Sequence, residues 1–271
     1  MKPSDVLMPK KPAQSGDFDW IDTPQFHWIQ IFFAFAIPSA IAYVGFHFIL
    51  PIVYNSGVAA VVAWPAIASL LLAAFTIVPL LLMRREARQL NISLRSRMCL
   101  KPISRKQWLF AILVLVIGLV AAIGFGRLIP LWSELIGLQA PEYFPFFLDP
   151  TIDPMSLDPK ILTPGFELKG AYWLIGLITL TLLLNILVEE FYFRAWLLPK
   201  MQSLGKLSWV VNGIAFALYH SFQLWLIPQI LPLSLFMAFV IFKTKSIWPV
   251  LCIHMAVNSL SVAALIFLII A

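Results

Sequence analysis

Between residues 28 and 270, long apolar runs alternate with short polar breaks, and most runs are of membrane-crossing length. A helix rising about 1.5 Å per residue needs roughly 20 apolar residues to cross a hydrocarbon core of about 30 Å. The pattern predicts spans over 28–53, 58–83, 108–130, 170–198, 207–227, 230–242 and 247–270, the sixth being short. Pro38, Pro65 and Pro79 fall inside the first two, where neighbouring helices can satisfy the freed carbonyls. Pro228 and Pro232 break the chain before the sixth. The expected fold is all-α: a polytopic transmembrane helix bundle of about seven spans, with its chemistry between the last four.

The polar breaks orient the bundle. Residues 84–107 carry Arg84, Arg85, Arg88, Arg95, Arg97, Lys101, Arg105 and Lys106 against one acid, Glu86. Basic loops stay inside, so this loop is expected to be cytoplasmic and drawn to anionic lipid head groups. The connection 131–169 holds six prolines, and its acids outnumber its lysines six to two, as suits the opposite face. Its cluster Tyr143-Phe144-Pro145-Phe146-Phe147 would lie on the membrane surface or cap the bundle. Residues 1–26 form a polar N-terminal tail without the apolar run of a cleavable signal, and Trp20, Phe26 and Trp28 read as an interfacial anchor. The chain thus divides into this tail, N-terminal transmembrane helices (27–130), a non-cytoplasmic connection (131–169) and a second set of helices (170–271).

Composition excludes a soluble globule: 61% of 271 residues are apolar and only 12% charged, with a mean hydropathy of +0.90. The net charge of +6 does not point to nucleic acid, because the basic residues concentrate between spans. Cys99 and Cys252 fall in a basic loop and a span, which argues against a structural disulfide. His27 is expected to be interfacial, and His47 to be a hydrogen-bonded packing residue within the first span.

Against this apolar background one run stands out: Leu187-Val188-Glu189-Glu190-Phe191-Tyr192-Phe193-Arg194. It follows nineteen largely apolar residues, Gly170 to Val188, so its charges arrive at membrane depth. Each costs about 2.5–3.5 kcal/mol there on insertion scales. Arg194 lies four residues after Glu190 and shares its helix face, whereas Glu189 points about 100° away. That spacing predicts a structural Glu190–Arg194 pair, with Glu189 left free for chemistry. The alternative is a buried ion network with no reaction.

Three later positions bear on that choice. Phe216 and His220 are four apart on the fifth predicted span, as are His254 and Asn258 on the seventh, and Asn185 and Asn212 complete the polar census. A carboxylate beside an imidazole can hold and deprotonate water, and a second imidazole with an amide can donate to an oxyanion.

The ordered set Glu-Glu-x-x-x-Arg (189–194), Phe-x-x-x-His (216–220) and His-x-x-x-Asn (254–258) resembles the CPBP family, which comprises type II CAAX prenyl endopeptidases and bacterial Abi-type intramembrane proteases. The resemblance covers roughly residues 170–260 and leaves the first three spans and the 131–169 connection unmatched. It implies peptide-bond hydrolysis within the membrane. Carried over by motif position, Glu189 would be the general base, His220 its partner, His254 and Asn258 the oxyanion hole, and Glu190 and Arg194 supporting residues. It further implies a membrane-associated protein or peptide substrate and a multi-pass protein of a lipid bilayer, expected to be a prokaryotic plasma membrane, with no nucleic-acid partner. No cofactor is expected. Glu189, His220 and His254 are the alternative zinc ligands, but a His-Glu-x-x-His run is absent and Asn258 suits an oxyanion donor better than a ligand. Two other function classes remain at this point: an ion- or proton-coupled transporter using Glu189 and His220 as a relay, and a non-catalytic immunity or scaffolding member of the same fold.

Overall fold

The computed structural model describes residues 18–271, all-helical wherever the backbone is regular. Its main helices are α1 (Trp28–Asn55), α2 (Ala60–Gln89), α3 (Arg105–Gly126), α4 (Tyr172–Glu189), α5 (Ser208–Tyr219), α6 (Ile227–Thr244) and α7 (Trp248–Ile270). α1 runs through a π turn at Gly45–Ile49. Helices long and apolar enough to cross a membrane number five among the described residues, or six if the bent α7 is one span. The difference from seven lies in the stretch Tyr172–Tyr219, which counts as a single span although Gly205 interrupts it. Gly205, at φ 57° and ψ −131°, breaks the turn geometry in the 3₁₀ segment Leu198–Leu207. Beyond it α5 returns alongside, so that the Asn212 amide donates to the Phe193 carbonyl at 2.9 Å. Alone, the 12 residues of α5 rise only about 18 Å, short of a bilayer core.

Packing holds the C-terminal helices against the rest. α6 lies against α3 and α5, while α4 lies against α2 and α7. The α5–α6 approach depends on Gly213, where a Cβ would sit 2.8 Å from the Leu235 Cα. Outward-facing residues such as Leu70, Leu113 and Val120 remain exposed, as expected of helices whose outer faces meet lipid.

The two ends are closed differently. At one, the 131–169 connection caps the bundle: Phe144 and Phe146 are buried, the Trp225 indole donates to the Leu148 carbonyl at 3.0 Å, and Trp132 donates to the Leu224 carbonyl at 2.8 Å. His47 sits there as the expected packing residue, between the Tyr143 hydroxyl (3.1 Å) and the Phe222 carbonyl (3.0 Å). At the other end the expected interfacial anchor is only partly realised. Trp28 is 74% exposed, but Trp20 is 1% exposed, edge-on to Phe242 with the Lys245 ammonium 3.5 Å above its ring. Thr23, Gln25 and Phe26 all hydrogen-bond the 199–200 backbone. Residues 1–17 of the polar tail lie outside the described residues. Both cysteines are free, and burial pushes the Cys99 thiol up to about 11.

Candidate active site

At Glu190 the α4 helix widens into a π segment, Glu190–Leu197, with bonds running over five residues instead of four. Pro199 lies two residues beyond it. It has no N–H to give to the turn above, so carbonyls there need other donors. The buried Arg97 supplies them, with Nη1 on the Ala195 carbonyl (2.7 Å) and Nη2 on the Trp196 carbonyl (3.1 Å).

The site forms where this segment meets α5 and α7. Glu189, His220 and His254 are 2%, 8% and 8% exposed. Glu189 Oε1 lies 3.7 Å from His220 Nε2, and Oε2 lies 3.9 Å from His254 Nε2. Neither is a hydrogen bond; a water beside either pair could bond both partners. His220 ends α5, and its Nδ1 bonds the Phe216 carbonyl at 3.0 Å. A carbonyl only accepts, so Nδ1 carries the proton and the neutral ring offers a lone pair at Nε2, toward Glu189. His254 Nδ1 is 2.9 Å from Glu190 Oε1. To donate from Nε2, His254 must carry a proton there, and the Glu190 carboxylate behind it balances the charge of a doubly protonated ring.

The expected Glu190–Arg194 pair does not form. No ion pair joins them among the described residues; Glu190 turns to His254, whereas Arg194 reaches across to α5. Its Nη1 donates to Asn212 Oδ1 at 2.8 Å, and its guanidinium lies 4.1 Å from the Phe216 ring centroid. Sharing a helix face permits contact without requiring it, and Asn212 with an aromatic face competes for the cation. Glu190 Oε2 and Arg194 Nε have no protein partner.

Asn258 stands one step from the carboxylate. Its amide donates to Asn185 Oδ1 (3.0 Å), and Asn185 donates to Glu189 Oε1 (2.8 Å). The structure therefore brings Glu189, His220 and His254 together directly, Asn258 through Asn185, Glu190 behind His254, and Arg194 on the far side of the π segment. Asn185 was in the sequence census without a role, although it lies four residues before Glu189 on the same face. Asn212 was likewise unassigned, and only the fold-back of α5 reveals its partner.

The same three side chains, Glu189, His220 and His254, are the alternative zinc ligands. Tetrahedral ligands at about 2.0–2.2 Å bring donor atoms to roughly 3.3–3.6 Å of each other. The two Glu–His separations are wider, and no three His, Cys, Asp or Glu side chains among the described residues are arranged to hold a metal ion.

Residues 171–260 match the family model described as type II CAAX prenyl endopeptidase Rce1-like. The matched segment is about one third of the chain and contains all three motifs. It supports the CPBP/CAAX protease family, and with the apolar helices it supports an integral membrane protein carrying a CAAX-type intramembrane protease domain. No curated protein and no solved structure matches the chain.

Proposed function

We propose that this protein is an intramembrane endopeptidase in which Glu189 activates water for attack on the peptide bond of a membrane-associated protein or peptide. The observation that carries this reading is the placement of a buried carboxylate between two imidazole Nε2 atoms, 3.7 and 3.9 Å away, within a segment matching a prenyl endopeptidase family.

Water held between Glu189 and His220 loses a proton to the carboxylate as its oxygen attacks the scissile carbonyl carbon. The oxygen of that carbonyl becomes an oxyanion, met by the His254 Nε2–H and by the Asn258 N–H not spent on Asn185. On collapse the C–N bond breaks, and the amine leaves with the proton that Glu189 held. No step requires a metal. Glu190 orients His254, and Arg194 fixes the π segment against α5. The bilayer is proposed to be a prokaryotic plasma membrane, in keeping with the bacterial branch of the resembled family.

The test is cleavage by the purified chain in liposomes of a membrane-tethered farnesylated CAAX peptide, run in ¹⁸O-labelled water. Hydrolysis places one labelled oxygen in the new C-terminal carboxylate. Ion flux without cleavage would replace this reading with transport. An intact peptide with no flux would favour a non-catalytic scaffold.

A further inference from the structure

Asn185 sits on α4 one turn before Glu189, at membrane depth and half-buried. An amide in that position is costly unless its groups are bonded, by about 1–3 kcal/mol on protein scales. Here both ends are used, and each in one direction: Oδ1 accepts from Asn258 on α7, and Nδ2 donates to Glu189 Oε1 on its own helix. The pair links the last turn of α4 to α7 at the point where α4 gives way to the π segment. Asn185 is the one side chain among the described residues within hydrogen-bonding distance of the Glu189 carboxylate, since both imidazoles stand farther off.

We propose that Asn185, anchored by Asn258, is a positioning residue that sets the Glu189 carboxylate. By holding Oε1 it fixes the carboxylate plane, with Oε1 kept toward His220 and Oε2 toward His254. Without it the side chain is free to rotate toward either imidazole and close one of the two gaps. The Glu-Glu-x-x-x-Arg and His-x-x-x-Asn motifs would then cooperate through an asparagine that belongs to neither. This inference rests on the protease reading, and its test separates the two.

The experiment compares wild type with Asn185→Leu, which keeps the branching at Cγ and removes both hydrogen bonds, and with Asn185→Gln, whose amide can still reach one turn along the helix. With the farnesylated CAAX peptide, Asn185→Leu is expected to lower kcat about 10- to 100-fold with KM little changed, because a misplaced catalytic group costs rate more than binding. Asn185→Gln should recover most of the loss. A second readout needs no activity: the infrared band of the Glu189 carboxyl, assigned by its loss in Glu189→Gln, should shift in Asn185→Leu and return in Asn185→Gln. An unshifted band, or a kcat in Asn185→Leu equal to wild type, would overturn the positioning role. An inactive wild type with the band shift present would overturn the protease reading and leave the Asn185–Glu189 contact standing.

Discussion

Two clusters of buried charge lie within this bundle, and they are built to opposite specifications. Near the end of the bundle that carries the 84–107 loop, Glu86 takes Arg97 on one oxygen and Lys200 on the other, both at 2.6 Å. Arg97 Nε adds a bond at 2.7 Å and the Trp196 indole another at 3.1 Å, so both oxygens are saturated. Around Glu189 the protein supplies one hydrogen bond, from Asn185, and holds two imidazoles just beyond reach. The first cluster is closed, and it fixes the π segment and the 199–200 backbone to which Thr23, Gln25 and Phe26 bond. In the second, a buried carboxylate stays under-coordinated although imidazoles are at hand. Such an arrangement is costly in a low-dielectric interior unless a water or substrate completes it. On the proposed reading, the contrast is one between structural charge and charge held ready for chemistry.

The largest effect expected from breaking the closed cluster is on folding. Arg97→Ala strips Glu86 Oε2 of its partners, leaving Lys200 and the Trp196 indole on Oε1, and removes the donors on the Ala195 and Trp196 carbonyls. Leaving one member of a buried pair costs about 3–5 kcal/mol, so folded yield and melting temperature should drop sharply. A variant as stable as wild type would show that the cluster is not structural.

Changes in the open cluster should instead act on rate. His254→Ala is expected to lose about 100- to 1000-fold in kcat, the usual result of deleting one oxyanion donor, with a smaller change in KM. A rise in KM alone would assign His254 to substrate binding. Chelators should leave the activity intact and bound zinc substoichiometric. One zinc per active chain, lost on chelation and restored with activity on adding zinc, would make His254 and His220 ligands instead.

Arg194→Ala should be intermediate. It removes the bond to Asn212 and the contact with Phe216, so thermal stability is expected to fall together with activity. Full activity at normal stability would remove Arg194 from the framework. The smallest effect concerns Lys245, beyond the end of α6, whose ammonium burial pulls down to about 8. An unfolded lysine titrates near 10.4, so between about pH 8 and 10 the unfolded chain binds more protons and stability rises with pH. Melting curves of wild type against Lys245→Met should diverge over that window, and parallel curves would contradict it.

How much of this was legible in the sequence follows from what each signal encodes. Apolar runs give helices directly, because lipid permits no other way of satisfying their backbone. Counting spans is harder, since α5 owes its place to the Gly205 fold-back and not to its own length. The motifs located Glu189, His220 and His254 because helical spacing assigns a face. They could not predict which neighbour each side chain chooses, and so Arg194 left Glu190 for Asn212. Arg97 was indistinguishable from seven other basic residues read as a topology signal. Its distinguishing mark was Glu86, the lone acid among them, which the loop reading left unexplained. Asn185 carried the same four-residue spacing that singled out the other pairs, yet without α7 in place its second partner could not be seen.

The contrast between the clusters is tested most directly by exchanging one atom in each. Glu189→Gln and Glu86→Gln are both nearly isosteric, and kcat and melting temperature can be measured on the same reconstituted samples. Glu189→Gln should lose about 100- to 10,000-fold in kcat, the range expected for a general base, while melting at or above the wild-type temperature. Glu86→Gln should melt markedly lower, and the fraction that remains folded should turn over at close to the wild-type rate. Retained turnover in Glu189→Gln, or a collapse of stability matching that of Glu86→Gln, would mean that both clusters are structural and that the chemistry lies elsewhere.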